Sequence, residues 1–122
     1  MSYQIIIGQQ KHIAQLRDIE KAAASLFSDE DVPPANKEKT TPLRTLEKAQ
    51  QQGRLWVVLD HSEVVGFAYV TEREGQIHLN EINMHPDHGQ KGLGTRLMKT
   101  IMQWAKEREY QSITLTTFIH LP

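Results

Sequence analysis

The sequence predicts an α/β domain built on a mixed, mostly antiparallel sheet with one parallel crossover, flanked by helices. Three observations carry this reading. Two β-rich apolar runs, Leu55–Leu59 and Val64–Thr71, are separated only by the turn residues Asp60-His61-Ser62-Glu63, which makes a hairpin. A second turn at Glu74-Gly75 adds a third antiparallel run, Gln76–Met84. Beyond it lie a helical period and one more apolar run, and a strand–helix–strand succession implies two parallel strands. The chain has 122 residues, which suits one domain of roughly 100–200 residues, and residues 1–122 are expected to form it.

Taken in order, Tyr3–Ile7 is a short strand rich in β-branched side chains. His12–Phe27 places Ile13, Leu16, Ile19, Ala23 and Leu26-Phe27 at helical spacing and reads as an amphipathic helix. Ser28–Pro42 contains three prolines, many charges and almost no apolar residue, so it is a long surface loop. Such a loop is either a plain linker or a flap over a substrate. Thr41-Pro42 before Leu43, Leu46 and Ala49 predicts a capped second helix ending near Gly53.

The third run of the sheet has a fault in its period. Ile77 and Leu79 share one parity, whereas Ile82 and Met84 fall on the other. One extra residue near Asn80-Glu81, a β-bulge, would return all four to one face. A strand buried on both faces is the alternative. After the loop His85–Lys91, a helix from about Gly92 to Glu109 carries Leu93, Leu97, Ile101 and Trp104-Ala105 on one stripe, and Ile113–Phe118 is the last strand.

Composition removes several classes of function. Hydrophobic residues make up 39% and charged residues 24% of the chain, as in ordinary globular proteins. Fourteen basic against fifteen acidic residues give a net charge of −1, so no global basic field exists to hold nucleic acid or an anionic membrane. No apolar run approaches the roughly 18 residues of a spanning helix. There is no cysteine, which excludes disulfides, thiolate catalysis and cysteine-ligated metal sites, and fits a cytoplasmic protein. His85 and His88 flank Pro86-Asp87 in a loop without a third ligand, so no metal is expected.

The chemistry-bearing feature is a glycine cluster. Gly89, Gly92 and Gly94 lie within six residues at a helix start, where glycine costs about 1 kcal/mol against alanine. Without β-carbons, the unpaired N–H groups of Gln90, Lys91, Gly92, Leu93, Gly94 and Thr95 can approach an anion closely, helped by the helix dipole and by the Lys91 charge. Tight packing is the other use for such glycines. Gly94-Thr95-Arg96 does not fit a P-loop, and Leu97 stands where a dinucleotide fingerprint needs glycine.

The run from Met84 to Thr95, MHPDHGQKGLGT, resembles motif A of the GNAT N-acetyltransferase family, Q/R-x-x-G-x-G/A after a strand and "x-P". Gly92 and Gly94 occupy its two small positions, and Gly89 its first, with Gln90 beside it. The element order is similar as well. The resemblance implies that the pyrophosphate of acetyl-CoA, the cosubstrate, lies on the amides of residues 90–95. It implies that Ile82, Asn83 and Met84 pair with the pantetheine arm, and that a backbone N–H near Met84 polarises the thioester. The implied activity is acetyl transfer to a primary amine of a small molecule or peptide by direct attack in a ternary complex. Glu81 is the candidate general base; the alternative is a solvated or ion-paired strand residue.

Further expectations follow from the same likeness. Family members continue past the fifth strand with a helix, two strands and a tyrosine that protonates the thiolate. This sequence stops at Pro122, so we expect a C-terminally short form, or one completed by another subunit. The other reading is then a catalytically impaired CoA-binding or structural module. An exposed fifth strand would also invite a homo-oligomer through its edge. Trp56, Phe67, Trp104 and Phe118 read as core, His78 and His120 as surface or packed residues, and Tyr69 as a core residue able to line a substrate pocket.

Overall fold

The strands pair in the order in which the chain makes them. The computed structural model describes residues 3–24, 41–89, 91–110 and 112–115. Five strands form one sheet in the order β1-β2-β3-β4-β5. β1 (Tyr3–Ile7), β2 (Leu55–Asp60), β3 (Glu63–Arg73) and β4 (Gln76–Met84) are successive antiparallel neighbours. β5 (Ile113–Leu115) lies parallel to β4, as the crossover requires. Phe118 and His120 lie outside the described residues.

Helices cover both faces of the sheet. α1 (Ile13–Ala24) and α2 (Leu43–Gln51) pack Ile13, Leu16, Ile19, Leu46 and Ala49 against Leu55, Val57, Phe67 and Tyr69. On the opposite face α3 (Leu93–Glu107) buries Leu93, Leu97, Ile101, Trp104 and Ala105 against Trp56, Val58, Ile77, Leu79, Ile82 and Met84. Trp56 and Trp104 meet edge to face at 5.0 Å, a favoured aromatic geometry. β2 and β3 are buried on both sides, which is why their sequences read as continuous apolar runs.

The turn chemistry sets the registers. Glu74 and Gly75 both have positive φ, 55° and 79°, the two-residue turn whose twist matches the strands it joins. Gly53, at φ 71°, lies in the turn that follows α2. Gly66 faces Met84 across β3 and β4, and a β-carbon there would lie 2.9 Å from Asn83 O and run into the Met84 side chain.

Two helix starts differ from the expectation. His12 is not the first residue of α1 but the last of a 3-10 turn, Gln10–His12. Its Nδ1 accepts the Gln9 backbone N–H at 3.0 Å, so the ring serves as a local cap for the preceding turn. At α2, Pro42 occupies the cap position and no side chain caps the helix. Thr41 uses its hydroxyl elsewhere, as described below. Of the predicted loop Ser28–Pro42, residues 28–40 lie outside the described residues, as do residues 25–27 of the first predicted helix.

Candidate active site

The parity fault of β4 is a bulge. Tyr69 pairs with Glu81 and Val70 with Leu79, leaving Asn80 as the extra residue. Ile77, Leu79, Ile82 and Met84 consequently all join the cluster beneath α3. Glu81 and Asn83 are thereby turned to the other face, toward α1 and the start of α2, where the side chains become polar.

Glu81 is bound there from several directions. Asn83 Nδ2 donates to its Oε2 at 2.6 Å. Thr41 Oγ1 lies 2.5 Å from its Oε1. The same Thr41 Oγ1 is 2.7 Å from Oε2 of Glu20 on α1, and the Thr41 backbone N–H donates to both Glu20 carboxylate oxygens at 3.0 Å. Glu20 is 9% exposed, and Tyr69, directly across β3 from Glu81, is 6% exposed.

Burial is the main reason that the Glu81 carboxyl is pushed up to about 9. The neighbouring Glu20 adds to this through hydrogen bonding and like charge, while the Thr41 and Asn83 donors oppose it. Tyr69 is raised too, first by burial and then by the Glu81 charge. At neutral pH the site therefore holds a carboxylic acid able to donate a hydrogen bond.

The second half of the site is backbone. β5 pairs with β4 only at Ile77, His78 and Leu79. Beyond the bulge, residues 80–84 have no strand partner on that side among the described residues, while their other edge stays bonded to β3. Met84 and Leu93 share one buried cluster, so the open edge leads to the N-terminus of α3. Gly92 caps that helix at φ 73° in the left-handed region, which favours glycine. A β-carbon on Gly92 would meet nothing within 4 Å. Its conformation, rather than close packing, is thus what calls for glycine, whereas Gly94 is buried in the first turn. Arg96 N donates to Gly92 O at 3.0 Å, the first bond of the helix, so the N–H groups of Leu93, Gly94 and Thr95 precede its hydrogen-bonded ladder.

A sequence model described as the acetyltransferase (GNAT) family matches residues 15–121, nearly the whole chain. The chain belongs to the GNAT family. Solved structures share its fold. The PaiA N-acetyltransferase of Thermoplasma acidophilum, in complex with coenzyme A, superposes with a TM-score of 0.77 at 16% identity, over 96% of this chain and 80% of that one. A GNAT acetyltransferase of Brucella melitensis, in complex with acetyl-CoA, gives 0.73 at 13% identity over 96% and 77%. An N-acetyltransferase of Staphylococcus aureus gives 0.73 at 16% identity over 94% and 73%.

Within this GNAT fold the residues singled out in the sequence fall into two groups. Ile82, Asn83 and Met84 line the open edge of β4, and Lys91, Gly92, Leu93, Gly94 and Thr95 surround the start of α3, with Lys91 and Thr95 exposed; Gln90 lies outside the described residues. Glu81 stands on the α1 side of the same strand. His85 and His88 are engaged locally, His85 Nδ1 accepting the Asp87 N–H at 3.1 Å and His88 Nδ1 lying 2.9 Å from the Tyr3 hydroxyl. His78 Nδ1 is 2.6 Å from Thr114 Oγ1 across the β4–β5 pair. Sequence reasoning missed Glu20 and Thr41. Glu20 did leave a signal, because it falls four residues after Leu16 and seven after Ile13, on the apolar stripe of α1.

Proposed function

We propose that this GNAT protein transfers the acetyl group of acetyl-CoA to a primary amine of a small molecule or peptide, by direct attack in a ternary complex. The observation that carries the reading is the bulge at Asn80, which puts a buried carboxyl beside a strand edge left open by β5. Acetyl-CoA would lay its pyrophosphate on the amides of residues 90–95, where the dipole of α3 favours negative charge. Its pantetheine arm would run along Ile82, Asn83 and Met84 as an added strand. A backbone N–H near Met84 would donate to the thioester oxygen, where charge builds in the transition state.

An ammonium cannot attack, so the acceptor must lose a proton, and Glu81 is the base that takes it. The C–N bond then forms, the C–S bond breaks, and the thiolate takes up the proton that the amine nitrogen sheds. Cysteine-free, the chain suits the reducing cytoplasm, where we place it.

Calorimetric titration with acetyl-CoA, followed by thiol release across a panel of amines, tests the reading. Saturable binding together with free CoA thiol is expected. Binding without turnover would favour a CoA-holding module, and absence of binding would remove both readings.

A further inference from the structure

Thr41 Oγ1 lies within hydrogen-bond distance of two carboxyl oxygens, Glu20 Oε2 at 2.7 Å and Glu81 Oε1 at 2.5 Å. A hydroxyl owns one hydrogen and can donate to only one of them. The second contact needs a hydrogen from a carboxyl, so one of the two glutamates is protonated while both contacts last. We propose that Glu20, acting through the Thr41 hydroxyl, is the positioning residue of Glu81, the three side chains forming a relay that keeps one proton resident in the acceptor site. The inference rests on the acetyl-transfer reading above.

The relay has two arrangements of equal proton count. In one, the Glu81 acid donates to Thr41, and Thr41 donates to Glu20. In the other, every bond is reversed, the Glu20 acid donating to Thr41 and Thr41 to Glu81. Moving two hydrogens by one bond each takes the proton from Glu81 to Glu20 without exchange with solvent. Glu81 then stands as a carboxylate against the incoming acceptor.

The balance is simple. The pair carries one negative charge and the acceptor ammonium one positive charge. Glu81 takes a proton from the ammonium, which leaves a neutral pair and a neutral amine. That proton leaves to solvent after the product does. The relay explains how a carboxyl that burial holds protonated at neutral pH can still serve as a base there. Glu20 from α1, Thr41 ahead of α2, Tyr69 from β3 and Asn83 from β4 itself are the groups around Glu81. Of these, Glu20 alone brings a second carboxyl to the Thr41 hydroxyl, while Tyr69 is pushed upward and Asn83 does not titrate.

Two measurements on the full chain decide the matter. The first is the pH profile of kcat/KM. With the relay intact, the acidic limb of the wild type lies well below 9. Thr41→Val cuts the relay, and the limb should move up by about one pH unit, a roughly tenfold loss of kcat/KM on the acid side. Thr41→Ser should restore it. An unmoved limb in T41V, or a T41S limb displaced like that of T41V, overturns the proposal.

The second measurement needs no turnover. Carbon-13 NMR of the Glu81 carboxyl, assigned through E81Q, should titrate in two steps in the wild type and in one in Glu20→Gln. A single step in the wild type overturns the shared proton. Two steps without any acetyl transfer leave the shared proton standing and overturn the functional reading instead.

Discussion

Glu81 is a carboxyl surrounded by donors that favour its charge and by a burial that opposes it. Burial prevails, because its Asn83 and Thr41 partners are neutral dipoles and the ionisable neighbour that acts on it, Glu20, is another carboxyl. In its proposed role as base, Glu81 would contribute about 10²–10⁴ in rate. Glu81→Gln keeps the shape and the Asn83 contact partner but cannot take a proton. We expect kcat/KM to fall by about 10²-fold or more and the acidic limb to vanish, while acetyl-CoA affinity stays within about twofold of the wild type. Steady-state profiles and calorimetry check both halves. At this scale the sequence was only half legible. Glu81 could be found through the resemblance to the family, but Glu20 and Thr41 are 61 and 40 residues away from it along the chain. Thr41 before a proline imitates a helix cap, a local role that the contact with Glu20 and Glu81 overrides.

Among the elements, β4 and α3 are the ones that local rules describe best, since each carries a strong period. The fault in the β4 period located the bulge to within one residue, because side-chain alternation leaves no other cheap way to bury Ile77, Leu79, Ile82 and Met84 together. The glycines of α3 were readable as special, but the left-handed conformation of Gly92 was not, since positive φ leaves no mark in the residue pattern. Gly92→Ala should cost about 1–2 kcal/mol, as a side chain is forced into the left-handed region. It should also weaken acetyl-CoA binding by displacing the first-turn amides, which melting and calorimetry would register separately. Gly66→Ala is expected to destabilise by about 1–3 kcal/mol through overpacking against Met84 and the Asn83 carbonyl. Its denaturant midpoint checks this, with Gly53→Ala as a comparison site where a positive φ meets open space.

For the whole molecule, two groups with displaced titration, His12 and Glu81, bend stability against pH in opposite directions. His12 is held below its ordinary value by burial first and by Lys11 second. The folded state therefore resists protonation there, and this contribution to stability is lost as pH falls below about 6.5. Glu81 is an acid raised from 4.5 to about 9. The folded chain then keeps a proton that the unfolded chain has released, so stability declines as pH rises through that interval. Above pH 7 only the Glu81 contribution of the two still changes. Melting temperature should drop between pH 7 and 9 in the wild type, and Glu81→Gln should flatten that slope. Equal slopes would show that the carboxyl is ionised throughout.

The bulge also has a genetic consequence. Substitutions along β4 change one side chain at a time, and the strand keeps its phase. Removing the single codon for Asn80 would take out the bulge and leave a regular strand, in which Ile77, Leu79, Ile82 and Met84 still alternate onto one face and Glu81 and Asn83 onto the other. What one in-frame deletion would remove is the local bend and added twist beside the open edge, a change that no point mutation can make. By the same geometry, this arrangement arises from a regular strand through one inserted codon.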